Sequence, residues 1–277
     1  MTKIKDIQPK PFLRWAGSKK QILPILSKYW NGNHRRYIEP FAGSACLFFN
    51  LRPQSAILGD INRDLIETYQ QIKECPSKVI GSIKNFKKGK YEYYQVREMK
   101  PHTLSLSERA ARFIYLNRYC FNGLYRTNRN GEFNVPYGGE KTGNIPSDDI
   151  IYSCSELLTD VTLISGDFET TLSYVRYGDF VYMDPPYRVN NRRVFNEYDA
   201  LTFSQDDLKR LKLWLKILTN KGIEFLLSYA ESDEANYLRE GYKLEKVLVK
   251  RNIAGFSNKR RNDYEVLITN KNHFYNN

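Results

Sequence analysis

Directly behind the apolar run Phe180 to Met183 stands Asp184-Pro185-Pro186-Tyr187, which puts a carboxylate, two fixed φ angles and an aromatic ring at the end of a predicted strand. Ligands of open α/β sheets bind at such carboxyl ends. The prolines remove N–H donors and stiffen the chain, so the carbonyl of Pro185 is rigidly aimed as an acceptor. The same residues also suit a plain strand stop, with Asp184 capping the turn and Tyr187 packing nearby.

A second group is Glu39-Pro40-Phe41-Ala42-Gly43-Ser44-Ala45, a small-residue turn between the strand-like Tyr37-Ile38-Glu39 and a helical stretch. Such a turn lets a cofactor approach the backbone and a helix N-terminus. Asp60 ends the next strand-like run, 17 residues past Gly43, where a carboxylate can accept hydrogen bonds from both hydroxyls of a ribose.

The elements that must carry these groups are legible as short apolar runs ended by turn residues: Tyr37 to Glu39, Ser55 to Leu58, Val161 to Ile164, Phe180 to Met183 and Ile223 to Leu227. Helical patterns alternate with them, which predicts an α/β sheet. Ser18 to Trp30 reads as a first helix interrupted only by Pro24. Ser204 with Asp207 forms a capping box ahead of the stripe Leu208, Leu211, Leu215 and Leu218, and Gly222 closes that helix. Tyr242 to Val249 and Tyr264 to Thr269 read as an antiparallel pair joined by a basic loop, Lys250 to Asp263. Between about Tyr69 and Ile150 the pattern changes to Lys-rich and Tyr-rich helices, followed by a polar stretch, Asn117 to Gly143, and this is the mark of an inserted subdomain. The expected division is therefore 1–68 with 151–277 as one domain and 69–150 as a second.

The chain has 277 residues, 41% hydrophobic, with 43 Lys plus Arg against 31 Asp plus Glu and a formal net charge of +12. Mean hydropathy is −0.59, and no apolar stretch approaches the roughly 18 residues of a bilayer span, so a soluble protein is expected. The charge sits in blocks of +6 over 1–67, 68–150 and 241–262, against −5 over 151–240. Separate basic blocks suit a polyanion wrapped by several parts of the fold, or else a solvated basic surface. Cys46, Cys75, Cys120 and Cys154 match neither a metal knuckle nor a disulfide scaffold, so reduced thiols and no metal are expected. No secretory signal is legible behind Met1, which points to the cytoplasm.

In order along the chain, Phe12 to Lys19, Glu39 to Gly43, Asp60-Ile61-Asn62, Gly166-Asp167-Phe168 and Asp184 to Tyr187 resemble the motifs of the Dam-like, D12 (class alpha) adenine-N6 DNA methyltransferases. Between them, Leu116 to Arg126 and Gly131 to Gly138 are similar to that family's DNA-recognition hairpin region. The resemblance covers nearly the whole chain. It implies a Rossmann-like sheet that binds S-adenosyl-L-methionine and carries an inserted, mainly helical recognition domain for double-stranded DNA. By position, Trp15 and Lys19 would contact the methionine half of the cofactor, Glu39, Pro40, Phe41 and Gly43 would line its pocket, Asp60 would hold the ribose, and Asp167 with Phe168 the adenine. Asp184 would border both the cofactor and the target base.

The implied chemistry accounts for the residue types. The exocyclic amine of adenine is a poor nucleophile because its lone pair is delocalised into the ring. Acceptors such as Asp184 and the Pro185 carbonyl would hold its hydrogens, Pro186 would fix the turn, and Tyr187 would stack on a flipped base. In the recognition region, Arg126, Asn128 and Arg129 carry groups suited to base edges, and Phe121 is a wedge for the stack left behind. The resemblance adds Asn122, Leu124, Pro136 and Arg14 to this interface, while Lys259, Arg260 and Arg261 suit phosphate contacts.

Two departures from the family pattern bear on the cofactor. Ala45 stands where many relatives have a second glycine, and Ser18 replaces a frequent glycine, so both positions are expected to penalise a positive φ. Arg188 to Phe195 is unusually basic, and Leu227-Ser228-Tyr229-Ala230 departs from the usual strand ending. Alternative readings are a DNA-binding regulator without turnover, or transfer to another planar amine such as RNA adenine, cytosine N4 or a protein amide. GATC is the family's commonest target; a cognate restriction endonuclease is a further partner to consider, and a monomer is the expected state.

Overall fold

The computed structural model describes residues 10–128, 130–187, 203–252 and 260–271. Seven strands form one sheet: β1 (Tyr37–Glu39), β2 (Ala56–Asp60), β3 (Val161–Ser165), β4 (Phe180–Met183), β5 (Glu224–Ala230), β6 (Lys243–Asn252) and β7 (Arg260–Thr269). Their order is β3-β2-β1-β4-β5-β7-β6. The first five are parallel, and β7 runs antiparallel to both β5 and β6. This is a Rossmann-like sheet. Its chain order reverses between β1 and β4, which pair through Tyr37 with Phe180 and Ile38 with Val181, and a crevice therefore opens at their carboxyl ends.

The helices are α1 (Leu23–Leu26), α2 (Cys46–Leu51), α3 (Arg63–Glu74), α4 (Pro76–Lys84), α5 (Lys90–Glu98), α6 (Leu106–Tyr119), α7 (Asp148–Leu158), α8 (Phe168–Leu172), α9 (Gln205–Asn220) and α10 (Asp233–Leu238). Strand residues alternate between two buried layers, as the period of two requires. Tyr37, Leu58, Phe180 and Tyr182 face a core with α3, α4, α6 and α7, whereas Ile38, Ile57, Val181 and Met183 face α8, α9 and α10. A third, smaller core holds Tyr93, Val96, Tyr115, Tyr119 and Val135. Helix α6 thus serves two cores, with Ile114 turned to the sheet layer and Tyr115 to the small one.

The capping box at Ser204 and the buried Leu208, Leu211, Leu215 and Leu218 appear as expected in α9. Two expectations need correction. Ser18 to Trp30 is not one helix: a 3-10 turn at Lys20–Ile22, the single turn α1 and a second 3-10 turn at Ser27–Tyr29 replace it, with Pro24 in the first turn of α1. Proline removes an N–H donor and leaves the longer ladder unmade. The Lys250 to Asp263 segment is also not all loop. Lys250 pairs with Asn262, Arg251 with Arg261 and Asn252 with Arg260, so both strands run on through the basic residues and only 253–259 lie between them, outside the described residues. No helix among the described residues is long and apolar enough to cross a membrane.

Candidate active site

The crevice is a cavity of about 510 Å³, lined by the ends of β1, β2 and β4, by the turn into α8 and by the segment Trp15 to Lys19. That volume suits a nucleoside-sized ligand. One half is built around Asp60. Its Oδ2 accepts from Gly43 N–H at 3.0 Å and its Oδ1 from Asn62 N–H at 2.9 Å, so the two strand-end turns are tied together by one carboxylate. Gly43 has φ +46°, and a Cβ there would lie 2.8 Å from the Trp15 ring, so only glycine lets the turn close against that indole. Tyr69, fully buried on α3, donates to the Gly43 carbonyl at 2.8 Å and fixes the turn from below.

Beyond Asp60, Phe41 stacks on Phe168 with centroids 5.3 Å apart, and Phe203 closes on both rings at 6.1 Å. This aromatic cluster lines the cavity and offers apolar surface against which a planar ring can pack. Asp167 caps α8 by accepting from Glu169 N–H at 3.0 Å, and both its oxygens also take 2.9 Å bonds from Arg210, whose guanidinium lies over Phe168. Burial acts to raise its carboxyl, but the Arg210 bonds win and hold it below the usual range. Pro40 lies on the cavity wall beside Glu39, which is buried, accepts from Tyr37 hydroxyl at 2.9 Å and is pushed well above the usual carboxylate range by burial and by the nearby negative Asp184 and Asp60.

The other half centres on Asp184. Lys19 Nζ lies 2.7 Å from its Oδ1, Ser228 hydroxyl donates to the same oxygen at 3.1 Å, and Tyr182 hydroxyl lies 3.0 Å from Ser228. Among the described residues no donor reaches Oδ2, which remains open as an acceptor. Lys19 also donates to Tyr187 hydroxyl at 2.5 Å and Gly17 carbonyl at 3.2 Å. Burial alone would lower the Lys19 ammonium, but the charges of Asp184 and Glu265 outweigh it and raise its pKa. Lys19 thus ties the Asp184 to Tyr187 turn to Glu265 at the cavity wall. Trp15 stacks over Tyr125 at 6.4 Å and lines the cavity.

Both glycine replacements are now placed. Ala45 has φ +47°, the left-handed conformation expected to carry a penalty, and its N–H still closes the turn on Ala42 carbonyl at 2.6 Å. Ser18 is not among the residues of positive φ, so the penalty expected there is absent; the left-handed residue is Gly17, at +80°. The buried Ser18 hydroxyl has no oxygen or nitrogen partner and lies beside the Cys46 thiol at the cavity wall. No local sequence pattern marks Ser228, Tyr69 or Arg210 as supports of this cavity, because each reaches it from a distant element. Only Ser204 with Asp207 gave a signal nearby, the helix start that presents Arg210.

Outside the cavity, residues 120–137 fold back on themselves through bridges Cys120–Tyr137 and Thr127–Phe133. Phe121 N–H donates to Pro136 carbonyl at 2.9 Å, which sets exposed Pro136 beside the turn of exposed Phe121, Asn122 and Leu124 at the base of this hairpin, with Asn122 at φ +54°. Arg126 donates to Asn134 at 2.7 Å, and Asn128 is engaged by its own turn, accepting from Asn130 and Glu132 N–H and donating to the Glu132 carboxylate. Arg14 is held next to this turn, against Gly123: Asn117 bonds both its N–H and its carbonyl, and its guanidinium donates to Arg118 carbonyl at 3.2 Å. Arg129 and Lys259 lie outside the described residues; Arg260 and Arg261 begin β7, and their side chains are likewise outside.

Comparison with known proteins gives the same assignment from outside the chain. The family model of D12 class N6 adenine-specific DNA methyltransferase matches residues 15–253. The chain is 36% identical over 273 residues to Type II methyltransferase M1.LlaDCHI of Lactococcus lactis subsp. cremoris, covering 95% of this chain and 96% of that one. It is 36% identical over 288 residues to Type II methyltransferase M.MjaIII of Methanocaldococcus jannaschii, covering 95% and 100%. Against the DNA adenine methylase of Haemophilus influenzae it is 32% identical over 262 residues, covering 92% and 91%. With Asp-Pro-Pro-Tyr at the switch point of a Rossmann-like sheet, the chain belongs to the D12 class of N6 adenine-specific DNA methyltransferases.

Proposed function

We propose that the protein transfers the methyl group of S-adenosyl-L-methionine to N6 of an adenine turned out of duplex DNA. The observation that carries this reading is the two-sided state of Asp184 on the cavity wall, with Oδ1 held by Lys19 and Ser228 and no donor among the described residues on Oδ2. A carboxylate so held can accept one amine hydrogen while the Pro185 carbonyl accepts the other, which favours a pyramidal nitrogen with its lone pair available. The other half of the cavity fits the cofactor: Asp60 sits where ribose hydroxyls would be accepted, the Phe41, Phe168 and Phe203 cluster offers apolar surface for a planar base, and Gly43 leaves space that any Cβ would fill. When bound, the cofactor supplies an electrophilic methyl group on a sulfonium. Asp184 then positions the amine and balances the charge that develops on it, which needs placement more than a strong base.

In this reading residues 69–150 recognise DNA while 1–68 and 151–277 carry the chemistry. Phe121, Asn122, Leu124 and Pro136 fill the gap left by the turned-out base, Arg14 and Arg126 contact bases or phosphates, and Lys259, Arg260 and Arg261 grip phosphates. GATC is the first target to test, and the names of two relatives point to a restriction partner. The test is labelled methyl transfer with duplex DNA, RNA and protein as acceptors, run with wild type and with Asp184→Ala. Transfer to duplex adenine that the variant lowers by about a thousandfold or more, with cofactor binding kept, is expected; equal transfer by the variant contradicts the reading.

A further inference from the structure

Glu265 is a carboxylate on β7, 2% exposed, and it sits against the catalytic turn without being part of it. In the sheet it pairs with Ala230 on one side and Val247 on the other, so its backbone is fixed by two neighbouring strands. Its Oε1 accepts the hydroxyl hydrogen of Tyr187 and lies 3.4 Å from Lys19 Nζ. A second buried carboxylate beside the Asp184–Lys19 pair costs desolvation, so something must be gained by keeping it.

The hydrogen-bond accounting indicates what is gained. Tyr187 has one hydroxyl hydrogen and two carboxylates within reach, Glu265 closely and Asp184 at 3.4 Å. Lys19 donates to the same hydroxyl oxygen from the other side at 2.5 Å. With its hydrogen drawn to Glu265 and its lone pair on Lys19, the hydroxyl holds the ring of Tyr187 in one plane, packed 5.0 Å from Tyr229. It also keeps that hydrogen off Asp184 Oδ1, which Lys19 and Ser228 already hold, so the carboxylate keeps the orientation those two bonds set.

We propose that Glu265 is a positioning residue of the methyl transfer, acting through Tyr187 and Lys19 to keep the aromatic ring oriented and Asp184 set to accept the target amine. Without Glu265 the hydroxyl hydrogen turns to Asp184 Oδ1, competes there with the Lys19 and Ser228 bonds that orient the carboxylate, and lets the ring leave its plane. Nothing in this role touches substrate, and it rests on the functional reading above.

The experiment is steady-state methylation of duplex DNA by wild type, Glu265→Gln, Tyr187→Phe and the double variant, alongside thermal unfolding and the cofactor Kd of each. Expected for Glu265→Gln is a kcat at least about tenfold lower, with KM for DNA and the cofactor Kd within about threefold, and a double variant no worse than about twofold below Tyr187→Phe alone. Should the Gln variant not fold, Glu265→Asp, one methylene too short to reach Tyr187, is expected to show the same kcat loss. Full kcat in either variant, or losses in the two single variants that multiply, overturns the inference. A wild type that transfers no methyl group overturns the functional reading instead, so the two failures are distinct.

Discussion

Glu39 and Asp184 are neighbours in charge but differ in what surrounds them. Glu39 is enclosed, with Tyr37 hydroxyl as its partner, and burial followed by the charges of Asp184 and Asp60 raises its pKa. A carboxyl raised on folding holds its proton longer in the folded state than in the unfolded one, so its effect on stability worsens as pH climbs from the ordinary Glu range toward the folded value. Glu39→Gln removes that loss. Thermal unfolding of the two proteins at pH 5 and pH 8 is expected to show a Tm advantage of the variant that is larger at pH 8; an equal or smaller difference there contradicts the assignment. At this scale Asp184, Asp60, Gly43 and Phe168 were legible because each ends or follows a strand in the sequence. Glu265, Ser228 and Arg210 were not, since Glu265 meets Lys19, Ser228 meets Asp184 and Arg210 meets Asp167 only after distant strands and helices are assembled.

The turn that follows α6 shows how an element can be exposed and still well defined. It presents Phe121 at 44% and Leu124 at 36% exposure, while Val135 behind it is buried in the small core with Tyr93. Apolar side chains held in water by a fixed turn are suited to insertion between bases. Phe121→Ala with Leu124→Ala is expected to leave Tm within a few degrees, since surface truncations cost little. The same change should slow single-turnover methylation of duplex DNA by at least about tenfold. Unchanged methylation would remove the Phe121 turn from the DNA interface. The strands were readable from apolar runs and turn residues, but the ends of β6 and β7 were not. Lys250, Arg251, Arg260 and Arg261 have the composition of a loop, and only the ladder between the two strands, a pairing across the chain, makes them extended.

Taken whole, the molecule places Asp60, Phe168 and the Asp184 to Tyr187 turn along one row of strand ends and hangs the hairpin that follows α6 beside it, joined by Trp15 stacked on Tyr125 and by Tyr125 hydroxyl bonded to Asp64 at 2.7 Å. In the function we propose, a net charge of +12 supplies the general attraction to phosphates, and specificity is left to the few side chains around the Phe121 turn. The α/β class and the order of the motifs were visible in the sequence because both are local patterns. How α6 divides its faces between two cores was not, because that depends on what packs on each side. The central claim is methylation of adenine N6 at one short site. Purified protein, unmethylated bacterial DNA and S-adenosyl-L-methionine are incubated together, and N6-methyladenine is mapped along the DNA. Modification confined to a single short motif is the predicted result; DNA left unmodified by protein that is folded and bound to it would contradict the account.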